Sequence, residues 1–145
     1  MFSTLLASYA CGQVIHRGDF KPAKGGMPGE ERYERSVEIG HGINLDAVID
    51  VTVRRNGTLR VGNLKLRVLD EYDDGKVYVG GLLHVEFIDV TGDGFKDLVI
   101  TGTVIHTGEK ETEPRSYETV TSIYVFDPKK REFHLAFHCG PSLEI

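Results

Sequence analysis

At 145 residues the chain is long enough to bury one core and short for two, so a single domain is expected. Its 17 basic residues against 22 acidic ones leave no excess for a nucleic-acid interface, which needs a basic patch or stripe. No apolar run approaches the about 20 residues of a membrane-spanning helix, and without Trp a sugar-stacking platform would have to use Tyr and Phe.

Residues 2–10 (FSTLLASYA) are apolar and end in Ser8-Tyr9-Ala10, the small-x-small pattern that precedes signal-peptidase cleavage, but the basic n-region is missing. Cys11 follows directly, as in a lipid-anchor site, although Ser8 stands where an aliphatic residue is expected. Three readings stay open: the tail of an export signal, a weak lipid anchor at Cys11, or the first element of the fold. Residues 16–36 are polar, charged and rich in Gly and Pro, and read as an extended arm or loop. Residues 1–36 are therefore set apart from a β domain over 37–145. Cys11 and Cys139 are the only cysteines. In an oxidising compartment a bridge between them would contribute at most about 4–5 kcal/mol in the chain-entropy model; otherwise they are two separate thiols.

From Ala47 the apolar residues alternate: Ala47, Ile49, Val51 and Val53 point one way, Asp50, Thr52 and Arg54 the other. Asn56-Gly57 predicts a type I′ hairpin turn, with the return strand at 59–61 and apolar alternation continuing through Leu64, Leu66 and Val68. Residues 70–75 (DEYDDG) predict another turn, followed by strands at 76–79 and 82–88. After a loop over 89–97 come a strand at 98–106, an acidic loop at 107–115, and a hairpin pairing 117–126 with 133–138 across 127–132. Seven or eight short strands with no helical period give an all-β, antiparallel class.

The 89–97 loop, D-V-T-G-D-G-F-K-D, places oxygen-bearing side chains at positions 1, 3, 5 and 9: Asp89, Thr91, Asp93 and Asp97. The carbonyl of Phe95 would fill position 7, and Gly94 permits the sharp turn at position 6. A hard cation such as Ca²⁺ takes six to eight oxygens at about 2.3–2.6 Å, which such a wound loop can supply. An EF-hand is excluded by Ile100 at position 12 and by strand-like flanks. The bland reading is a solvated Asx-type turn with no ion.

With Phe87 before it and Leu98-Val99-Ile100 after it, the loop reads F-x-D-x-T-G-D-G-x-x-D-L-V-I and resembles the calcium loop of FG-GAP and VCBS-type repeats. Adding Y-V-F-D-P-K-K-R-E-F (124–133), residues 82–137 resemble small bacterial secreted proteins with one such loop, including periplasmic inhibitors of peptidoglycan hydrolases. The resemblance implies an extracytoplasmic, non-enzymatic β module. It would hold Ca²⁺ through Asp89, Thr91, Asp93, Phe95 and Asp97, and its partner would be another protein, with a cell-wall hydrolase as the sharpest version. Thr91 departs from the usual Asp or Asn, which predicts a weaker site. The chain is too short for a full propeller, so the expected arrangement is one or two blade-like sheets packed as a sandwich or partial barrel. Loops such as 107–115 would form the working surface.

The competing class is an enzyme, either a carboxylate hydrolase or a His-centred metal enzyme. His134 and His138 lie four apart, which on a regular strand puts both on one face, opposite Phe133, Leu135 and Phe137. With His84 they would give a zinc site; the alternative is histidines on the wet face of an edge strand. No G-x-S-x-G, H-E-x-x-H or phosphate-loop motif is present. The sequence names neither the partner nor the oligomeric state.

Overall fold

Alternating apolar residues turn most of the chain into strands. The computed structural model describes residues 20–54, 56–70, 77–79, 83–106 and 116–145, in backbone alone at 70, 77–79 and 105–106. The export and lipid-anchor readings, Cys11 and the 107–115 loop lie outside the described residues.

β1 (Lys21–Ala23), β2 (Glu31–Gly40), β3 (Ile43–Val51), β4 (Asn56–Val61) and β5 (Leu64–Asp70) form an antiparallel meander, each strand paired to the next. β6 (Val77–Val79) meets β5 through the single pair Asp70↔Val79 and links it to a second antiparallel sheet. That sheet holds β7 (His84–Ile88), β8 (Asp97–His106), β9 (Ser116–Asp127) and β10 (Glu132–Cys139). β6 and β7 share one edge of β8, and β9 takes the other. Neither sheet closes into a barrel. The class is all-β, as expected.

One core serves both sheets. Ile49 on β3, Leu59 on β4 and Leu66 on β5 are buried with Leu98 and Ile100 on β8 and Tyr124 and Phe126 on β9. Each recurs with the two-residue period of a strand that has one face in the core.

Two local expectations need correction, and one turn comes without a sequence expectation. Asn56-Gly57 is not a turn: both residues lie in β4, Gly57 opposite Val51 and Leu69, and the chain reverses before them, where the Thr52 amide donates to the Asn56 carbonyl. Glycine is required there for close approach, since an added Cβ would sit 2.6 Å from the Leu69 Cβ. The arm reading of 16–36 is overtaken from residue 20: Phe20 is buried in the core, β1 pairs with β2, and Tyr33 enters the core among the charges that mask the alternation. The β2–β3 turn, unforeseen, is formed by His41 (φ 50°) and Gly42 (φ 77°) between the paired Gly40 and Ile43, with both central residues left-handed as a type I′ turn demands.

Candidate functional site

The Asp loop connects β7 to β8 and is wound by its own first carboxylate. The Gly92 and Gly94 amides donate to Asp89 Oδ1 and Oδ2 (2.7 and 2.8 Å), and the Thr91 hydroxyl donates to Oδ1 (3.3 Å). Gly92 and Gly94 sit at φ 77° and 89°, which lets the backbone turn its amides inward. These contacts favour the charged form: the Gly94 amide, against a burial cost and with help from the Gly92 and Asp93 amides, holds the Asp89 carboxyl below its usual range. Asp93 Oδ1 accepts from the Phe95 amide (2.9 Å). Apart from a half-buried Phe95 and Asp89, the loop tip is exposed.

Asp97 behaves differently. It is fully buried, with Oδ1 accepting from the Phe126 amide (2.9 Å) and Oδ2 from the Val90 amide (3.0 Å). One carboxylate thus ties the start of the loop to β9. The other side of the loop is fixed to the first sheet. The Lys96 amide donates to the Ile39 carbonyl (2.7 Å), and Gly40 is pressed against the Gly94 carbonyl so closely that a Cβ would collide with it. The His41 ring lies tilted against Phe95 with ring centroids 4.7 Å apart. The loop therefore rivets the two sheets together at one end of the core.

Only part of the expected Ca²⁺ donor set stands at the loop tip. Asp89, Thr91 and Asp93 stand at alternate positions of the wound tip, and carboxylate oxygens that already accept an amide keep a second lone pair. Asp97 is the exception, because it is fully buried and its two amide bonds point it toward Val90 and β9, away from the exposed tip. Among the described residues no three acidic, His or Cys groups converge as a metal cluster.

The histidines do not assemble as the strand period predicts. A β-bulge between Leu135 and Phe137 inserts Ala136, so His134 lies opposite Val125 while His138 lies opposite Ser122. A one-residue insertion reverses which side chains face the core, and the two histidines end on opposite faces. His84 sits on β7, three strand spacings from β10, or roughly 14 Å. It lies 3.6 Å from Glu86 instead.

The bulge creates a pair that residue spacing does not foretell. Ser122 Oγ lies 2.7 Å from His138 Nδ1, and His138 Nε2 lies 2.6 Å from the Gly140 carbonyl. Since a carbonyl only accepts, Nε2 carries the proton and Nδ1 of the neutral ring accepts from the serine. The order hydroxyl, imidazole, orienting acceptor is that of an activated nucleophile. Ser122 is fully buried, however, so the pair satisfies two polar groups and locks the bulge without offering the hydroxyl to a substrate.

Comparison with protein-family models, with curated proteins and with solved structures finds no match to this chain.

Proposed function

We propose that the chain is a non-enzymatic β module that works outside the cytoplasm, takes Ca²⁺ at the Asp loop and binds another protein. The observation that carries the reading is the Asp89 carboxylate gathering the loop amides, which winds the tip so that Asp89, Thr91 and Asp93 alternate around one turn. Those three, with the Phe95 carbonyl, would hold the ion, and Asp97 would anchor the loop from behind. Bound Ca²⁺ neutralises the clustered carboxylates; its role is structural. Binding only the folded state, it would stabilise by mass action, about 2.7 kcal/mol at one hundred times its Kd.

Half-exposed apolar side chains support the protein-binding part: Ile88 and Val90 beside the loop, Leu135 and Phe137 on β10. The resemblance gives the partner a first candidate, a cell-wall hydrolase. The test is a thermal melt in excess EGTA, then in millimolar Ca²⁺ or Mg²⁺, on wild type and Asp93→Ala. A rise of several degrees with Ca²⁺ alone, lost in Asp93→Ala, is expected. An equal rise in the variant would remove the site, and no rise in wild type would leave the loop as a turn.

A further inference from the structure

Among the described residues β10 is the last strand of its sheet, paired to β9 on one side and to no strand on the other. Along the open side runs a cleft of about 370 Å³, near the lower end of the small-ligand range. It is bounded by residues 133–135 of β10, by the β4–β5 turn, and by residues 144 and 145, where Glu144 bridges to Leu66.

Three features give this cleft the chemistry of a strand acceptor. The Asn63 side chain donates from Nδ2 to the Phe133 carbonyl (2.8 Å) and accepts the Phe133 amide at Oδ1 (2.7 Å). A primary amide is thus making with β10 the two bonds that a neighbouring strand would make. Outward-facing groups recur every second residue along a strand, so Leu135 offers the next such pair. The floor of the cleft holds Tyr124, only 1% exposed, whose hydroxyl makes no hydrogen bond to any described residue. Burial first, and the Glu144 carboxylate second, push its pKa up to about 12, so the hydroxyl stays a donor at neutral pH. Buried hydroxyls nearly always have partners. Leu135 (47% exposed) and Ile145 (65%) line the same cleft with apolar surface.

We propose that the cleft is a strand-addition site for an extended peptide segment carrying an apolar side chain. The peptide backbone pairs with β10 at Leu135, beside the rung that Asn63 fills. One guest carbonyl accepts from the Tyr124 hydroxyl, and the apolar side chain lies between Leu135 and Ile145. This rests on the reading of the chain as a protein-binding module and gives the partner's chemistry. A second copy of the chain fits less well. The bulge after Leu135 and the Asn63 amide before it leave only a short run of free edge, and both blunt flat edge-to-edge pairing.

The test is selection of random extended peptides displayed on phage against the intact immobilised chain in Ca²⁺ buffer. Selected peptides are then titrated against wild type, Leu135→Lys and Tyr124→Phe, with amide exchange followed by NMR in wild type. Tyr124→Phe keeps the ring and removes only the donor, so it should weaken binding about fivefold. Leu135→Lys, at a half-exposed position, should weaken it about tenfold or more, since edge lysines oppose strand addition. The Leu135 amide should exchange more slowly with peptide bound. Peptides that bind both variants as tightly as wild type, or leave the Leu135 amide unprotected, would overturn the site while keeping the module. A dimer abolished by Leu135→Lys would assign the edge to a second copy and overturn it too. Failure to select any peptide would overturn both readings.

Discussion

Replacing Asp97 by Ala separates an anchor from a metal ligand. The carboxylate is fully buried and its two oxygens satisfy the Phe126 and Val90 amides. A buried donor left without a partner costs about 1–3 kcal/mol. The Phe126 amide belongs to the buried bond and should cost about 2–3 kcal/mol, whereas water can reach the part-buried Val90 amide, limiting its loss to about 1 kcal/mol. The sum, about 3–4 kcal/mol, corresponds to a fall of about 10 °C in Tm for a chain of this size. The assay is a thermal melt in excess EGTA, where no ion contributes. Asp97→Asn keeps one acceptor but turns an NH₂ toward the other amide, so it should recover less than half of the loss. If Asp97→Ala matched wild type in EGTA and differed only in Ca²⁺, the anchor assignment would be wrong and Asp97 would be a ligand.

Gly57→Ala should cost about 2–3 kcal/mol by urea unfolding, because the new Cβ falls 2.6 Å from the Leu69 Cβ; Leu69→Ala in the same chain keeps that Cβ and should return none of it. Acid stability is set by Asp50, Asp89 and Asp127. Burial pushes the Asp50 carboxyl up, but hydrogen bonds from Arg32 and Arg60 (each 2.6 Å) outweigh it, while the Gly94 amide lowers Asp89 and the Lys130 amide lowers Asp127. Groups with lowered folded values contribute fully above the ordinary carboxylate range and lose that contribution as pH falls, so circular dichroism should show unfolding set in below about pH 4. Tyr124 has the opposite sign: its stabilised neutral form is fully favoured below about pH 10 and lost as pH rises toward about 12, so Tyr124→Phe should unfold at higher pH than wild type.

Sequence was a good guide where turn chemistry was local. The β9–β10 hairpin falls where Asp-Pro places it, because Asp127 Oδ1 accepts the Lys129 and Lys130 amides (2.9 and 3.3 Å) and sets Phe126 opposite Phe133. The Asp loop was legible for the same reason. Reading failed where a distant contact chose the conformation. Gly57 looks like a turn residue next to Asn56, yet the side chain of Leu69 is what requires it. The bulge at Ala136 has no sequence mark, and without it His134 and His138 would share a face. Asn63 carries no signal at all, since its importance lies in a partner 70 residues away, at Phe133, and nothing in the sequence marks the Tyr124 hydroxyl as buried beside the cleft.

The Asp loop and the cleft are joined by an aromatic run. His41, Phe95, Phe126 and Phe133 touch in sequence as tilted and edge-on rings with centroids 4.7, 6.1 and 5.1 Å apart, and Phe133 is the β10 residue that Asn63 holds. Contact alone does not couple two sites; an element with two arrangements, biased by both ligands, is needed. The loop's shape is set by its carboxylate–amide bonds and by the burial of Asp97. Calcium would therefore add stability without shifting Phe95. Peptide affinity measured in EGTA should then lie within about twofold of that in Ca²⁺, and by reciprocity the peptide should leave Ca²⁺ affinity equally unmoved. A dependence of about tenfold would mean that the loop has a second arrangement. Phe95→Leu, which interrupts the run between His41 and Phe126, should in that case reduce the dependence while leaving the Asp89 hydrogen bonds in place.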